Sequence, residues 1–349
     1  MKRILAAISL STLFLSGCSS PSPTASQTPT PKQYVTAPLT GIKYEVGSAD
    51  AQGLSRASVA CKIDNSEAAR PQIGLNSTDL VFDEMVEGGL TRFVAIWQSH
   101  LPEAVGPVRS IRPMDPDILT PFGGIVCYSG GQAVFVNMMR STPLFNASET
   151  TEQGKGTFTR VHDREAPHNV VVNALKLSTD HPEIAAPTAQ FNFAQDLAHA
   201  TATATGQQLT DLTVIFPAAS AKWTATSAEQ LTRTQDGKPH TDAADGSNIH
   251  ATNVVVMQVT VDRSYADPKY SYVPKDVVIG TGKAWVVSGD HVVEAIWSKT
   301  SRQTSITLAL ADGTPVQLAP GNTWVELQPV DVGKTVVNLA PTPSPRPSK

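Results

Sequence analysis

Cysteine is scarce in this sequence, with three among 349 residues. No CxxC or HxxxH spacing occurs, so we expect neither a structural zinc site nor any other metal or cofactor. The sequence also lacks a serine nucleophile elbow, a Walker phosphate loop, a dinucleotide glycine fingerprint and an HExxH helix. These absences leave the mechanisms of serine hydrolases, nucleotide-dependent enzymes and zinc proteases without support.

An excess of positive charge is absent too. Lysine and arginine number 27 against 31 acidic residues, for a formal net charge of −4, so we expect no nucleic-acid partner. No internal repeat of 20–50 residues is detectable, which gives no support to a solenoid or a propeller. The length and the ordinary hydrophobic content of 40% are typical of a globular protein with two cored domains.

The N-terminus has the pattern of a bacterial export signal. Lys2 and Arg3 precede the apolar run Ile4–Leu15, which is too short to span a bilayer comfortably. The sequence Leu-Ser-Gly-Cys, ending at Cys18, resembles the lipobox, in which the signal is cut before a lipidated cysteine. We therefore predict a signal peptide over 1–17, acylation of Cys18 with palmitate-type chains, and an anchor on the extracytoplasmic face of the membrane.

Two segments have too little aliphatic content to bury a core. Residues 18–39 are rich in Ser, Thr and Pro and are predicted to form a tether from the lipidated cysteine. Residues 336–349 form a Pro-rich tail that we expect to be disordered.

The region between these segments divides by pattern, and the predicted fold class is α+β. Residues 40–206 mix apolar strand-like runs with three helix candidates, which are QAVFVNMMRS, Asn173–Leu177 and Ala194–Ala204. They predict an α/β domain that carries clusters of arginine and carboxylate. Residues 207–335 contain short strands at close spacing and predict a mostly antiparallel β domain. Cys61 and Cys127 each lie in an apolar strand-like run, where a disulfide and two buried free thiols fit equally well.

Polar residues that cores avoid are concentrated between Lys62 and Arg112. Between Arg70 and Arg164 the chain has seven arginines and one lysine, and the guanidinium fork grips carboxylates and phosphates with two hydrogen bonds. A second cluster, TRVHDREAPHN, adds an arginine pair, a histidine and an asparagine. The candidate ligand-binding residues are Asp64, Asn65, Glu84, Glu87, Arg92, Arg109, Arg112, Arg160, Arg164, His168 and Asn169.

We hypothesise one anion pocket formed by Asp64, Glu84, Arg92, Arg109, Arg112, Arg164 and His168, with the β domain closing one side. Arg109 and Arg112 are three residues apart, so a regular strand would point them to opposite faces. The alternative is that these arginines only neutralise neighbouring carboxylates within the fold. No catalytic residue can be assigned.

Several short motifs resemble the YerB-like bacterial lipoproteins, a family built around a domain of unknown function. They are KIDN, ARPQIG, EMVEGGLTRF, GPVRSIR and REAPHN, followed by GKPHTD and NVVV in the second half. Arg233 belongs to the same C-terminal signature, although Leu231-Thr232 stand where an aromatic residue is expected. The resemblance implies a two-domain extracytoplasmic lipoprotein and no reaction.

Three functions therefore stay open. The first is a membrane-anchored protein that binds an anionic cell-envelope ligand, such as a lipid-linked phosphate, a wall polymer or a peptide stem, in envelope assembly or maintenance. The second is a cell-wall enzyme, a phosphotransferase or hydrolase, that uses the same pocket. The third is a scaffold that docks another envelope protein, whose identity the sequence does not indicate.

Overall fold

The computed structural model describes residues 31–341 of the chain. The predicted signal peptide, Cys18, most of the tether and the end of the Pro-rich tail lie outside these residues. Among these residues, those from Tyr34 onward belong to one compact unit. Within the described part of the chain, no helix has the length and apolar character needed to cross a membrane.

The helices are short, and each holds eight residues or fewer. The α-helices are α1 (Ala49–Gly53), α2 (Asp115–Leu119), α3 (Ala133–Arg140), α4 (Ala174–Thr179) and α5 (Thr201–Thr205). Single 3₁₀ turns occur at Glu67–Ala69, Leu75–Ser77, Glu87–Gly89, Thr120–Phe122 and Leu197–His199.

Two helix predictions are confirmed and one is wrong. QAVFVNMMRS forms α3, and Asn173 caps α4 by accepting a hydrogen bond from the backbone N–H of Lys176. The helix predicted over Ala194–Ala204 is instead a 3₁₀ turn followed by α5. Ala200 between them is extended, with a ψ of 142°, which breaks the helical path.

Strands dominate the fold. They are β1 (Tyr34–Thr36), β2 (Lys43–Glu45), β3 (Val59–Asp64), β4 (Leu80–Met85), β5 (Thr91–Trp97), β6 (Ile125–Tyr128), β7 (Phe145–Ser148), β8 (Phe158–Arg160), β9 (Val170–Val172), β10 (Gln207–Phe216), β11 (Ala219–Ala225), β12 (Leu231–Gln235), β13 (Lys238–Pro239), β14 (His250–Ala251), β15 (Asn253–Asp267), β16 (Ser271–Val277), β17 (Gly280–Ser288), β18 (His291–Lys299), β19 (Thr307–Ala309), β20 (Thr323–Pro329) and β21 (Lys334–Leu339).

A mixed central sheet joins strands from both halves of the chain. Its order is β7-β6-β3-β5-β4-β20-β15-β17-β18-β19. The strands of the first half meet those of the second half at the parallel pair of β4 and β20, where Val81 lies opposite Trp324. The expected antiparallel character holds for most pairs of the second half, but β15 and β20 run parallel.

A second layer of strands covers part of this sheet. The strands β21, β10, β11 and β12 pair antiparallel in that order, and β12 also pairs with β13 and β14. The protein is therefore mostly β, with mixed sheets. An α/β character of the first half is not confirmed, and a domain boundary near residue 206 stays a prediction.

Alternation along the central strands separates two cores. In β3, Val59, Cys61 and Ile63 pack in one hydrophobic cluster, whereas Ala60 packs in the other. Successive side chains of a strand point to opposite faces, so each face of the sheet contributes to its own cluster. Glu87–Gly89 joins β4 to β5, and Gly88 and Gly89 have φ values of 73° and 74°, which explains glycine at both positions.

Cys61 and Cys127 form a disulfide between neighbouring parallel strands. The two residues are in register in the β3–β6 pair, with their Cα atoms 4.5 Å apart. The sequence left the disulfide and the free thiols equally open, because it does not indicate which strands are neighbours.

The ordered part extends further toward both ends than predicted. Residues 34–36 of the predicted tether form β1 and pair with β2, and Leu39 is buried. Residues 336–339 of the predicted tail belong to β21, which pairs with β10. Both predictions were wrong at these positions because short edge strands gain most of their stability from tertiary pairing, which local composition does not encode.

Asp276 provides a test of this packing. It is buried, its Oδ2 accepts a hydrogen bond from the backbone N–H of Met85 at 2.8 Å, and burial raises its pKa to about 7. Between the ordinary pKa near 4 and pH 7, the folded state binds a proton that the unfolded state has lost, so stability falls as pH rises. We predict that Asp276→Asn removes this loss, which amounts to at most about 4 kcal/mol.

The measurement is urea unfolding of the parent and the variant between pH 4 and pH 8. Their free energies of unfolding should diverge with rising pH in favour of the variant. Parallel pH profiles would contradict the prediction.

Candidate functional site

A row of three charged residues crosses the ends of the central strands of the first half. The pairing places Glu84 of β4 opposite Arg92 of β5, and Arg92 opposite Asp64 of β3. Residues in register on neighbouring strands share one face of the sheet. Most other residues of these three strands are apolar and pack in the two cores, and the three charged residues lie near one end of each strand.

A cavity of about 340 Å³ lies at this end of the sheet. Its lining includes three arginines, two carboxylates and a histidine. The other lining residues are a serine, a threonine, a valine, a leucine and a tyrosine. Its lining residues are Asp64, Ser66, Val86, Glu87, Leu90, Thr91, Arg92, Arg109, Arg112, His168 and Tyr270. We call this space the arginine cavity.

Arg109 and Arg112 both line the cavity, which corrects the expectation that they point to opposite faces. The segment that carries them is not a regular strand. The N–H of Val108 donates to the carbonyl of Val170 at 2.7 Å, while the N–H of Arg109 donates to the carbonyl of Lys62 at 2.8 Å. Residues 109–112 belong to no strand, and the N–H of Arg112 donates to the side chain of Asp115 at the start of α2. The two-residue alternation on which the expectation rested therefore does not extend to Arg112.

Arg112 is held firmly by the protein itself. Its Nε and Nη2 each lie 2.8 Å from an oxygen of Glu87, and its Nη1 donates to the carbonyl of Ile111 at 3.0 Å. Burial tends to raise the pKa of Glu87, but the bonds from Arg112 outweigh it and lower that pKa below its usual value. Most donors of Arg112 are thus used, and its role at the cavity is mainly that of a fixed charge.

The Asp64 carboxylate contacts two other residues of the cavity lining. Its Oδ2 lies 3.1 Å from Nε of Arg109 and 2.6 Å from Nδ1 of His168. Burial tends to raise the pKa of Asp64, but the backbone N–H of Ser66 and the charge of Arg109 lower it overall. The carboxylate therefore stays ionised, and it fixes the orientation of both the histidine ring and the arginine.

Arg92 differs from Arg109 and Arg112 in its contacts with carboxylates. Among the described residues, no carboxylate lies within 4 Å of its guanidinium, and the one hydrogen bond from its side chain is to the carbonyl of Ser110 at 3.3 Å. Arg92 is nevertheless only 9% exposed. Burial, together with Arg112 and Arg109, lowers its pKa to about 9, so it remains a cation at neutral pH.

Two predicted site residues lie beside the cavity but outside its lining. Glu84 is fully buried and forms an ion pair with Lys62, which also donates to Asp115 at 3.0 Å. Asn65 turns away and donates to Thr91 Oγ1 at 2.8 Å. Both side chains satisfy buried groups of the fold.

The second cluster is only partly brought to the cavity. His168 lines it, whereas Arg164 lies in an adjacent surface cavity and donates to the carbonyl of Ala69 at 2.8 Å. Arg160 is paired with Glu149 at 2.6 Å and also donates to Asn169 Oδ1 at 2.9 Å, on the exposed side of β8 and its loop. The shared pocket is therefore smaller than hypothesised, and it lacks Glu84 and Arg164.

Comparison with models of protein families identifies the family of this chain. Residues 39–187 match the N-terminal domain and residues 212–325 match the C-terminal domain of "Protein of unknown function (DUF3048)". The chain belongs to the DUF3048 family. The resemblance noted in the sequence is thereby confirmed.

A curated relative and a solved structure agree with this assignment. The chain is 25% identical over 305 residues to the Bacillus subtilis (strain 168) protein named "Putative lipoprotein YerB", covering 84% of this chain and 86% of the relative. The crystal structure of YerB protein from Bacillus subtilis superposes with a TM-score of 0.72 at 23% identity, covering 86% of this chain and 99% of that one. This DUF3048 protein therefore shares the YerB fold.

Sequence reasoning missed five residues that line the cavity of this DUF3048 protein: Ser66, Val86, Leu90, Thr91 and Tyr270. Ser66 had a local signal, since its N–H donates to Asp64 Oδ1 two residues earlier at 3.1 Å, an Asx turn. Tyr270 had none, because it comes from the turn between β15 and β16, far away in sequence.

Arg233 of the C-terminal family signature lies elsewhere, buried in the core behind the sheet. Its Nη2 lies 2.6 Å from Asp83 Oδ2, and its Nε lies 3.6 Å from Glu326. The guanidinium also lies within 6 Å of the ring centroids of Phe93, Trp223 and Trp324. Aromatic side chains thus do surround Arg233, but they come from other strands than its own.

This arrangement predicts a structural role for Arg233. Removing it leaves Asp83 and Glu326 buried together without a cation, and burial together with Glu326 already raises the pKa of Asp83 well above its usual value. We expect Arg233→Met to lower the free energy of unfolding by about 3–5 kcal/mol.

The matched control is Arg160→Met, because Arg160 is paired with Glu149 at the exposed surface. Its loss should cost about 1 kcal/mol or less. Chemical denaturation of both variants measures the difference, and equal losses would show that the buried cluster does not depend on Arg233.

Proposed function

We propose that this protein is a lipid-anchored protein of the bacterial cell envelope that binds an anionic ligand in the arginine cavity. It stands on the extracytoplasmic face of the membrane and serves envelope assembly or maintenance. Two lines of support carry the proposal. One is the N-terminal sequence, and the other is the state of Arg92.

The location is supported by the basic start, the short apolar run and the lipobox that ends at Cys18. A relative that aligns with most of the chain carries the word lipoprotein in its name. Acylation at Cys18 supplies more than one chain, and two signals are needed for a stable anchor.

Replacing Cys18 with Ala tests the anchor. We expect the variant to move from the membrane fraction to the soluble fraction, because no acyl chain remains to hold it. Fractionation with immunodetection measures this, and Cys61→Ala with Cys127→Ala serves as a control for loss of thiol groups elsewhere. A Cys18→Ala protein that stays in the membrane fraction would contradict the anchor.

The main support for ligand binding is the environment of Arg92, which is buried and makes few hydrogen bonds with the described residues. A guanidinium has five N–H donors, and within residues 31–341 one of those of Arg92 makes a hydrogen bond. Burying a cation without a partner is costly unless another group compensates for it. An anion in the cavity would supply that group and would also contact Arg109, whose Nη1 has a long 3.4 Å bond to the carbonyl of Pro167.

The charge count agrees with an anion rather than a cation. The three arginines of the cavity carry +3, and Asp64 and Glu87 carry −2, so one positive charge remains before any contribution from His168. The intramolecular pairs therefore do not neutralise the lining. This argues against the alternative in which all the arginines only satisfy carboxylates of the fold.

The test is calorimetric titration of the chain from Ser19 onward, which includes the whole compact unit that begins at Tyr34. Inorganic phosphate, inorganic pyrophosphate and malonate are the probes. We expect Arg92→Gln to weaken binding by about ten- to a hundredfold, because a charge-assisted contact contributes about 1.5–3 kcal/mol. Arg160→Gln, an arginine outside the cavity, should leave the affinity unchanged.

Circular dichroism of each variant establishes that it is folded. Equal affinities for the parent and a folded Arg92→Gln protein would contradict the proposal. So would the absence of binding for all three probes.

A second candidate is an enzyme that acts on the same anion, and the contact between Asp64 and His168 favours it. A carboxylate that holds one ring nitrogen at 2.6 Å orients the imidazole for proton transfer. Recovering pyrophosphate after prolonged incubation separates the two candidates. Intact pyrophosphate supports binding alone, whereas conversion to phosphate that His168→Gln abolishes supports an enzyme.

A further inference from the structure

The arginine cavity is lined by two chemically different groups of side chains. The cationic group consists of Arg92, Arg109 and Arg112. The apolar group consists of three carbon-rich side chains, Val86, Leu90 and Tyr270. Two of these three are unusually exposed for their type, with Leu90 at 42% and Tyr270 at 43%.

The two exposed side chains come from different parts of the chain and meet at one place. Leu90 follows the turn between β4 and β5, and Tyr270 lies in the turn between β15 and β16. The Tyr270 ring lies over Gly88, where an added Cβ would come 3.5 Å from Cε1 of the ring. A single exposed apolar residue needs no explanation, but these two line the same cavity as three cations.

We propose that the ligand of the arginine cavity is an amphiphilic anion, in which a phosphate-type headgroup carries an apolar chain. The headgroup contacts Arg92 and Arg109, and the first part of the chain lies against Val86, Leu90 and Tyr270. This inference rests on the proposed anion binding and adds the class of ligand. A free phosphate, a sugar phosphate or an acidic peptide would contact the cationic group and leave the apolar group exposed to water.

The chemistry of the apolar group supports a ligand with a hydrocarbon chain over a ligand with a polar chain. Val86 and Leu90 are aliphatic and offer no hydrogen bond to a sugar or a peptide. Tyr270 adds an aromatic ring to the lining, whereas Lys269, whose Nζ lies 4.8 Å from the centroid of that ring, is not among the lining residues. Covering these side chains removes apolar surface from water, which favours binding in proportion to the area covered.

The experiment compares inorganic phosphate with butyl, hexyl and octyl phosphate by calorimetric titration, at concentrations below their aggregation. The protein is again the chain from Ser19 onward. We expect the affinity of the parent to rise with chain length, by about fourfold for each methylene that becomes fully buried. Affinity should level off once the chain extends past Tyr270.

Leu90→Ser and Tyr270→Ser should flatten this dependence on chain length, so that octyl phosphate loses more affinity than inorganic phosphate does. Both residues are exposed, so the variants should fold. Leu90→Met preserves an apolar contact and should retain the dependence. Ile296→Ser is the matched control, because Ile296 is 47% exposed on β18 and does not line the cavity.

The outcomes separate the two proposals. Inorganic phosphate that binds with an affinity equal to that of octyl phosphate would overturn the amphiphile and leave anion binding in place. A chain-length dependence that survives in both Leu90→Ser and Tyr270→Ser would also overturn it, since the chain would then bind elsewhere. Absence of binding for every phosphate would contradict the anion-binding function itself.

Discussion

The parallel pairing of β4 with β20 is the interaction on which the rest of the structure depends. It joins the sheet of the first half to that of the second, so that one continuous sheet crosses the molecule. The ion pair between Asp83 and Arg233 reinforces this junction from one face, because Asp83 lies on β4 and Arg233 lies on β12. Tyr270 reaches the arginine cavity only because the second half is fixed against the first in this way.

The charged residues at the ends of the central strands differ in the partners that neutralise them. The sheet places Glu84, Arg92 and Asp64 in one row, and each of the three has a different environment. Glu84 is neutralised by Lys62, and Asp64 is engaged by Arg109 and His168. Arg92 stands between them with one weak bond to a carbonyl. The same strand ends thus produce two carboxylates paired with cations and one cation whose side chain makes a single hydrogen bond, to a carbonyl, among the described residues.

Much of the central hairpin could be predicted from the sequence. The apolar runs of β3, β4 and β5 and the glycines between β4 and β5 are local signals, and Asp64, Glu87 and Arg92 lie at or beside the ends of these strands. The side chains of Arg109 and Arg112 could not be oriented, because the segment that carries them belongs to no strand and the N–H of Arg112 bonds to the side chain of Asp115. Glu84 was misplaced because its partner Lys62 is identified only once the sheet order is known.

The long-range contacts account for what the sequence could not indicate. The disulfide needs the adjacency of β3 and β6, and the aromatic surroundings of Arg233 come from β5, β11 and β20. No local pattern encodes which distant strands become neighbours.

The pairing of Val81 with Trp324 also constrains the order in which the chain can fold. Contacts between residues so far apart in sequence give the protein a high contact order, and loop-closure entropy must be overcome before such contacts form. Of the strands of the central sheet, β20 is the last along the chain. An emerging chain therefore presents β4 with an open edge until β20 arrives, and during that interval the edge is exposed to pairing with other chains.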